Sequence, residues 1–153
     1  MSVPALGPRG EGWVAGQLVL FAAIGLGGLA YGVATLPLLV AGIAMVVLGV
    51  AVVALGAWEL GSNLTPFPRP RPAATLVQDG LYRHVRHPIY SGVVTAAVGW
   101  AIVTASPLSL IFAVLLALLF DAKSRREEAW LSEQLPGYAG YRARTRKFVP
   151  GLY

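Results

Sequence analysis

The sequence predicts an all-α, polytopic membrane protein with four transmembrane segments, the last two forming a helical hairpin, followed by a cytoplasmic C-terminal helix and tail. The chain of 153 residues is 56% hydrophobic and only 12% charged, about half the charged fraction of a soluble domain. Residues 12–58 and residues 87–120 contain no Asp, Glu, Lys or Arg. A helix needs about 20 apolar residues to cross a bilayer, so the first uncharged stretch is long enough for two crossings.

The first uncharged stretch predicts span 1 at residues 13–33 and span 2 at residues 38–58, separated by a turn at Pro37. Gly28 and Gly32 are spaced like the small residues that allow two membrane helices to approach closely. We therefore expect this pair of glycines to lie in a helix–helix contact.

Residues 59–87 predict a cytoplasmic linker. Four of the ten residues 63–72 are proline, which excludes regular helix because proline lacks an N–H group and restricts the residue before it. We expect this segment to be extended and to lie on the membrane surface.

The second uncharged stretch predicts the hairpin, because a single helix of its length would be about 50 Å long and would exceed the bilayer. A break at Ser106-Pro107 gives span 3 at residues 88–105 and span 4 at residues 107–121. The cytoplasmic helix and basic tail then occupy residues 122–153. The helix that contains span 4 is expected to continue without interruption until Pro136-Gly137 stops it.

The positions of the 12 Lys and Arg residues predict the orientation in the membrane. They lie at Arg9, in the linker and in the tail, and the turns at Pro37 and Pro107 carry none. Because such residues concentrate on the cytoplasmic side, both termini are expected in the cytoplasm, with the chain integral to a bacterial cytoplasmic membrane. The net charge of +5 fits membrane lipids as partners better than nucleic acid. The oligomeric state is left open.

Both histidines of the chain lie in the stretch RHVRHPIYSG at residues 83–92. Side chains of these types also occur at membrane surfaces without any chemical role. However, Pro88 is favourable at the first position of a helix, and the N–H groups that remain free there attract an anion. His87 would stand beside that helix start. We expect Tyr90 to lie close to it.

The predicted helix after span 4 carries Lys123 and Glu127 one turn apart on a common face. Solvated helices often carry such pairs without further function. The hairpin, however, would return these side chains to the region of His87 and Tyr90, and we expect a shared cavity there. The chain has no cysteine and its histidines form no H-E-x-x-H pattern, so no metal site is expected.

The pattern G-x-Y-x-x-x-R-H-P-x-Y-x-G at residues 80–92, followed by the hairpin and Glu127-Glu128, resembles the isoprenylcysteine carboxyl methyltransferase and phospholipid methyltransferase superfamily. The likeness covers roughly residues 63–151. It implies a membrane-embedded enzyme that transfers a methyl group from S-adenosylmethionine to a lipophilic small molecule or lipid. One such acceptor is the carboxylate of an isoprenylcysteine-like substrate.

The same resemblance implies roles for individual residues. Lys123 falls where the isoprenylcysteine enzymes have a substrate-binding arginine, and the catalytic residues implied are Lys123, Glu127 and His87. The implied cofactor-binding residues are Thr75, Leu76, Val77, Tyr82, His87, Pro88, Ile89, Tyr90 and Glu127.

Two other functions are compatible with the sequence. Membrane steroid reductases look similar in their C-terminal regions and bind NADPH, although they tend to have Asn-Pro where this chain has His87-Pro88. A noncatalytic membrane protein whose basic tail recruits lipids or partners is the other alternative. In either case Arg142, Arg144, Arg146 and Lys147 are expected to hold the tail on anionic lipid, and a direct role in closing over the cofactor is the alternative for these residues.

Overall fold

The computed structural model describes residues 3–152, and it is helical with irregular connections. Two short 3₁₀ helices, Gly61–Asn63 and Gly80–Arg83, lie in the long connection after the second α-helix. The α-helices are α1 (Glu11–Leu29), α2 (Leu36–Leu60), α3 (Pro88–Val103), α4 (Pro107–Gln134) and α5 (Tyr138–Arg144).

Helices α1 to α4 form an antiparallel bundle in which α2 packs along α3, and α4 packs along both α1 and α3. Within residues 3–152, three stretches are long and apolar enough to cross a membrane, namely α1, α2 with the 3₁₀ turn that follows it, and α4. Helix α3 has 16 residues, which is about 24 Å and less than the roughly 30 Å of the hydrocarbon core. The prediction of an all-helical membrane protein is confirmed, whereas the structure supports three of the four predicted spans by length.

Helix α1 ends at Leu29, four residues before the predicted end of span 1. Glycine has low helix propensity, and the sequence after Leu26 contains three glycines before Val33. The Ala34 N–H also donates to the Val103 carbonyl at 3.0 Å, which ties the turn to the end of α3. Helix α4, by contrast, runs without a break to Gln134 and stops beside Pro136-Gly137, as the sequence predicts.

Glycines form the contact between α2 and α3. Gly42 and Gly49 on α2 face Gly99 and Gly92 on α3, so that each backbone lies directly against the other. A Cβ atom on Gly49 would lie 2.5 Å from the Gly92 carbonyl oxygen, closer than real contacts allow. The glycine spacing of seven residues on α2 therefore sets the separation of these helices.

The predicted Gly28–Gly32 contact is wrong for one of its two residues. Gly28 packs beneath the indole of Trp100, but a Cβ atom on Gly32 would have no neighbour within 4 Å. Gly32 lies after the end of α1, so the early end of that helix removes it from the interface.

Serine hydroxyls fix the α3–α4 turn to α1. Ser106 Oγ accepts from the Ser109 N–H at 3.0 Å and donates to the Gly27 carbonyl at 3.0 Å. Ser109 Oγ donates to the Ile24 carbonyl at 2.7 Å. Because these groups are buried, the hydrogen bonds hold α1 and α4 in one register.

The antiparallel topology brings residues 3–10, the linker and the tail to one end of the bundle. Residues 63–72, called the proline roof below, are irregular as predicted and fold over this end. Pro68 is fully buried against Gly10, and Arg69 donates to the Pro8 carbonyl at 3.0 Å. The roof is therefore attached to the segment that leads into α1.

We predict that Gly49→Ala lowers the stability of the folded protein. The added methyl group must push α2 and α3 apart, and overpacking of this kind costs about 1–3 kcal/mol. Thermal unfolding in detergent, followed by circular dichroism, measures the change in Tm. The matched control is Gly25→Ala, because a Cβ atom there meets nothing within 4 Å. Equal Tm values for both variants would contradict the proposed glycine contact.

Candidate functional site

A cavity of about 360 Å³ lies beneath the proline roof. Its volume is within the range of ~300–1,000 Å³ typical of small-molecule sites. The roof forms one wall, residues 74–77 form another, and the start of α3 and the middle of α4 complete it. The cavity is therefore built from segments that are distant in the sequence.

His87 is placed at the start of α3 and is only 6% exposed. Its Nε2 lies 3.1 Å from Glu128 Oε1, and because a carboxylate can only accept, this nitrogen is the donor. Its Nδ1 lies 3.8 Å from Glu127 Oε2. The imidazole ring stacks on the ring of Tyr90, with 5.3 Å between the ring centroids.

Tyr90 joins α3 to α4. Its hydroxyl donates to Glu127 Oε2 at 2.7 Å, and its ring stacks on Phe120 with 4.4 Å between centroids. The expected proximity of His87, Tyr90 and Glu127 is therefore present, and all three line the same cavity.

The adjacent residues Glu127 and Glu128 have different surroundings. Glu128 has a 4% exposed side chain and binds Arg86 Nε at 2.8 Å and Arg142 Nε at 3.2 Å, in addition to His87. The Glu127 side chain is 25% exposed and lines the cavity. Glu128 therefore holds protein segments together, while Glu127 is available to a ligand.

Lys123 is buried, with 1% of its surface exposed. Its ammonium group donates to Gln17 Oε1 at 2.7 Å and to the Pro66 carbonyl at 2.9 Å. It also lies 5.2 Å from the centroid of the Tyr90 ring, within range of a cation–π contact. Lys123 thus ties α4 both to α1 and to the proline roof at one edge of the cavity.

Tyr82 is held by hydrogen bonds from two sides. Its hydroxyl donates to the Gly56 carbonyl at 3.3 Å, and its own carbonyl accepts from Tyr141 Oη at 2.7 Å. Burial raises the pKa of Tyr82 above its ordinary value and raises the pKa of Tyr141 to about 12. Both hydroxyls therefore remain protonated donors near neutral pH.

Residues 74–77 form the apolar wall of the cavity. The Thr75 N–H donates to Asn63 Oδ1 at 3.0 Å, and Asn63 Nδ2 donates back to the Thr75 carbonyl at 3.2 Å. This pair fixes the segment so that Leu76 packs with Leu131 and Leu135 at the end of α4. An apolar surface therefore lies opposite the polar groups of His87 and Glu127.

Eight of the nine predicted cofactor-binding residues, and Lys123 with them, line this cavity. Pro88 does not. It is fully buried and begins α3, where it faces Gly56 of α2. Pro88 therefore starts α3 immediately after His87, and in this way it helps to position the His87 side chain.

Sequence reasoning missed several residues that line the cavity. Gln17 could have been noticed only because it is a polar residue within the otherwise apolar sequence of α1. The roof was recognised only as irregular, so Pro66 and Phe67 could not be placed. The other missed lining residues include Asn63, Phe120, Leu131, Leu135 and Tyr138.

The basic tail is folded onto the site, and the prediction that its cations face lipid is wrong for Lys147. That side chain is buried and donates to Asp121 Oδ1 at 2.5 Å. Arg142 binds Glu128, and Arg144 donates to Gln78 Oε1 at 2.9 Å. Backbone carbonyls of the tail also accept hydrogen bonds from the N–H groups of Arg86 and His87. These bonds hold the tail against the residues that lead into α3.

Comparison with known proteins gives a family match over residues 37–136, to the family described as phospholipid methyltransferase. The chain is 34% identical over 79 residues to the cobalt-zinc-cadmium resistance protein CzcN of Cupriavidus metallidurans. It is 36% identical over 83 residues to the nickel-cobalt-cadmium resistance protein NccN of Alcaligenes xylosoxydans xylosoxydans. These segments are 51% and 54% of this chain, but only 37% and 39% of the two relatives. No solved structure matches.

We predict that Glu128→Gln destabilises the fold and loosens the tail. The substitution leaves Arg86 and His87 without their carboxylate, and loss of one partner of a buried ion pair costs about 3–5 kcal/mol. The expected results are a lower Tm and faster tryptic cleavage within residues 142–147. Glu133→Gln is the matched control, because Glu133 is an exposed carboxylate on the same helix. Unchanged cleavage in Glu128→Gln would contradict this role.

Proposed function

Because the chain belongs to the phospholipid methyltransferase family, we propose that it transfers a methyl group from S-adenosylmethionine to a lipophilic acceptor. The observation that carries the proposal is the roofed cavity in which Glu127, Tyr90 and His87 meet. We further propose that this end of the bundle faces the cytoplasm, because the Lys and Arg residues concentrate there. A water-soluble donor then enters from the cytoplasm and a lipophilic acceptor from the bilayer.

The residues of the cavity fit S-adenosylmethionine. The Glu127 carboxylate can accept hydrogen bonds from ribose hydroxyls or from the ammonium group of the donor. The apolar wall formed by Leu76, Leu131 and Leu135 suits the flat adenine ring. Aromatic ring faces such as that of Tyr90 attract a sulfonium cation.

When bound, S-adenosylmethionine supplies an electrophilic methyl carbon. The contribution of the chain is to hold the acceptor in line and to exclude water, and such alignment can supply about 7–11 kcal/mol of the barrier reduction. A carboxylate acceptor needs no general base. An amine acceptor would lose a proton, and we propose that His87 Nδ1, which lies 3.8 Å from Glu127 Oε2, would receive it.

We propose an anionic acceptor, for example the carboxylate of an isoprenylcysteine-like compound. Lys123 lines the cavity, and its ammonium group is held by hydrogen bonds to Gln17 and Pro66. This positive charge favours binding of an anion and disfavours binding of a protonated amine. The part of the cavity that extends toward the membrane interior is lined by Ile89, Val93 and Phe120. These side chains suit the start of a lipophilic chain.

The names of the two relatives record metal resistance. Among residues 3–152 of this chain, no group of three or more His, Asp or Glu side chains is arranged to hold a metal ion. The proposed methyl-transfer role is supported by the family match and by the roofed cavity.

We predict that S-adenosylhomocysteine binds the purified protein and that Glu127→Gln weakens this binding roughly tenfold to hundredfold. Hydrogen bonds to a charged group contribute about 1.5–3 kcal/mol, and the substitution removes that charge while keeping the shape. Isothermal titration calorimetry in detergent measures the affinity. Glu133→Gln should bind like the unmodified protein, and both variants should keep its Tm.

The same titration includes NADPH as a second ligand. If NADPH binds and S-adenosylhomocysteine does not, the chain is a reductase and the proposed function fails. Binding of neither ligand by a folded sample would favour a noncatalytic membrane protein.

We also predict that the transferred methyl group is labile to base. A methyl ester formed on a prenylated cysteine releases methanol in alkali, whereas an N-methyl group formed on phosphatidylethanolamine does not. Incubation with S-adenosylmethionine labelled in its methyl group, followed by alkaline release of volatile label, distinguishes the two. Stable label on the amine would retain the methyltransferase proposal and overturn the anionic acceptor.

A further inference from the structure

A second cavity of about 630 Å³ lies on the outer face of the proline roof. Its lining includes the three arginines Arg9, Arg69 and Arg71, together with Gln134 at the end of α4. None of its lining residues within the described range 3–152 is acidic. The cleft therefore presents a concentration of positive charge outside the site described above.

The arginines of this cleft are partly held in place by the protein. The guanidinium of Arg9 lies over the ring of Phe67, 4.2 Å from its centroid, and Arg69 donates one N–H group to the Pro8 carbonyl. The Arg71 carbonyl accepts from Gln134 Nε2 at 2.6 Å. Because each guanidinium carries five N–H donors, these contacts leave donors that can bind a ligand.

One nearby carboxylate reduces the charge only in part. Glu11 lies 3.3 Å from Arg9 Nε, and both side chains are largely exposed. Solvent therefore weakens the attraction between the Glu11 carboxylate and the Arg9 guanidinium. Arg69 and Arg71 retain their charge in the cleft.

The position of the cleft indicates where its ligand comes from. Arg9 precedes the first residue of α1 by two positions, and α1 is one of the helices able to cross a membrane. The cleft therefore lies near the level of the lipid headgroups. Its prolines and Phe67 add an apolar surface beside the charges, which suits the glycerol portion of a lipid.

We infer that this cleft binds the phosphate group of an anionic phospholipid. A guanidinium group can bind two phosphate oxygens at once, because the spacing of its N–H groups matches the spacing of the oxygens. Basic side chains next to a membrane also attract anionic lipid. This lipid site is separate from the proposed methyl-transfer site and does not depend on it.

The lipid site shares a wall with the first cavity. Both cavities are lined by the same four roof residues, Thr65, Pro66, Phe67 and Pro70. A lipid headgroup bound to the outer face of the roof would therefore restrain residues that also line the first cavity.

The test measures retention of phosphatidylglycerol against phosphatidylcholine by the purified full chain, using native mass spectrometry. The unmodified protein should retain phosphatidylglycerol preferentially. Arg69→Gln and Arg71→Gln should each reduce that preference roughly tenfold, because each substitution removes a charge-assisted hydrogen bond to the lipid phosphate. Circular dichroism checks that each variant keeps its fold.

Arg83→Gln is the matched control, because Arg83 is an exposed arginine that lines neither cavity. Its preference for phosphatidylglycerol should equal that of the unmodified protein. An equal loss in Arg83→Gln and Arg71→Gln would overturn the inference, since general surface charge would then explain the binding. If inorganic phosphate alone displaces phosphatidylglycerol, the occupant is a soluble phosphate and the lipid assignment is overturned.

Discussion

The buried carboxylate of Glu128 is the interaction on which the geometry of the site depends. Its oxygens accept hydrogen bonds from Arg86 and His87 at the end of the linker and form an ion pair with Arg142 in the tail. Removing an ionised carboxylate from water costs several kcal/mol, and this cost is offset only when its partners are well placed. The three partners around Glu128 satisfy that condition, and in doing so they bring the linker and the tail to one point on α4. The position of His87 is set by this contact, since its Nε2 is bound to Glu128.

Helix geometry explains why the neighbouring Glu127 has a different role. Successive residues on an α-helix point in directions about 100° apart, because a turn takes 3.6 residues. Glu128 is directed to the tail, and Glu127 shares the cavity-facing side with Lys123, one turn away. The single hydroxyl of Tyr90 binds Glu127 and leaves acceptor sites on that carboxylate for a ligand. A rotation of about 100° between two neighbouring residues therefore separates a structural carboxylate from one that can bind a ligand.

Much of this arrangement could be predicted from residue types. The uncharged stretches predict the helices, Ser106-Pro107 predicts the hairpin, and the hairpin brings His87 and Tyr90 to α4. The sequence could not predict the contacts that depend on the path of irregular backbone. The bond from Lys123 to the Pro66 carbonyl joins residues far apart in the chain, and no local pattern encodes it. The length of α3 was overestimated because uncharged residues in the turn were counted as helix. The burial of Lys147 could not be predicted either, because its partner Asp121 lies far away in the sequence, on α4.

The bundle also explains how membrane helices can take part in a cavity that is lined by polar groups. Hydrocarbon excludes exposed backbone polar groups, so the spanning segments must be helices and can offer only side chains. The irregular proline roof, whose four prolines have no backbone N–H group to form helix hydrogen bonds, is tolerated because it lies at the end of the bundle. There it covers polar side chains at the first turn of α3 and in the fifth and sixth turns of α4. The Pro66 carbonyl of the roof accepts a hydrogen bond from the Lys123 ammonium group. A polar ligand can then be enclosed at the boundary where lipophilic compounds are also accessible, which neither the bundle interior nor the aqueous surface would allow alone.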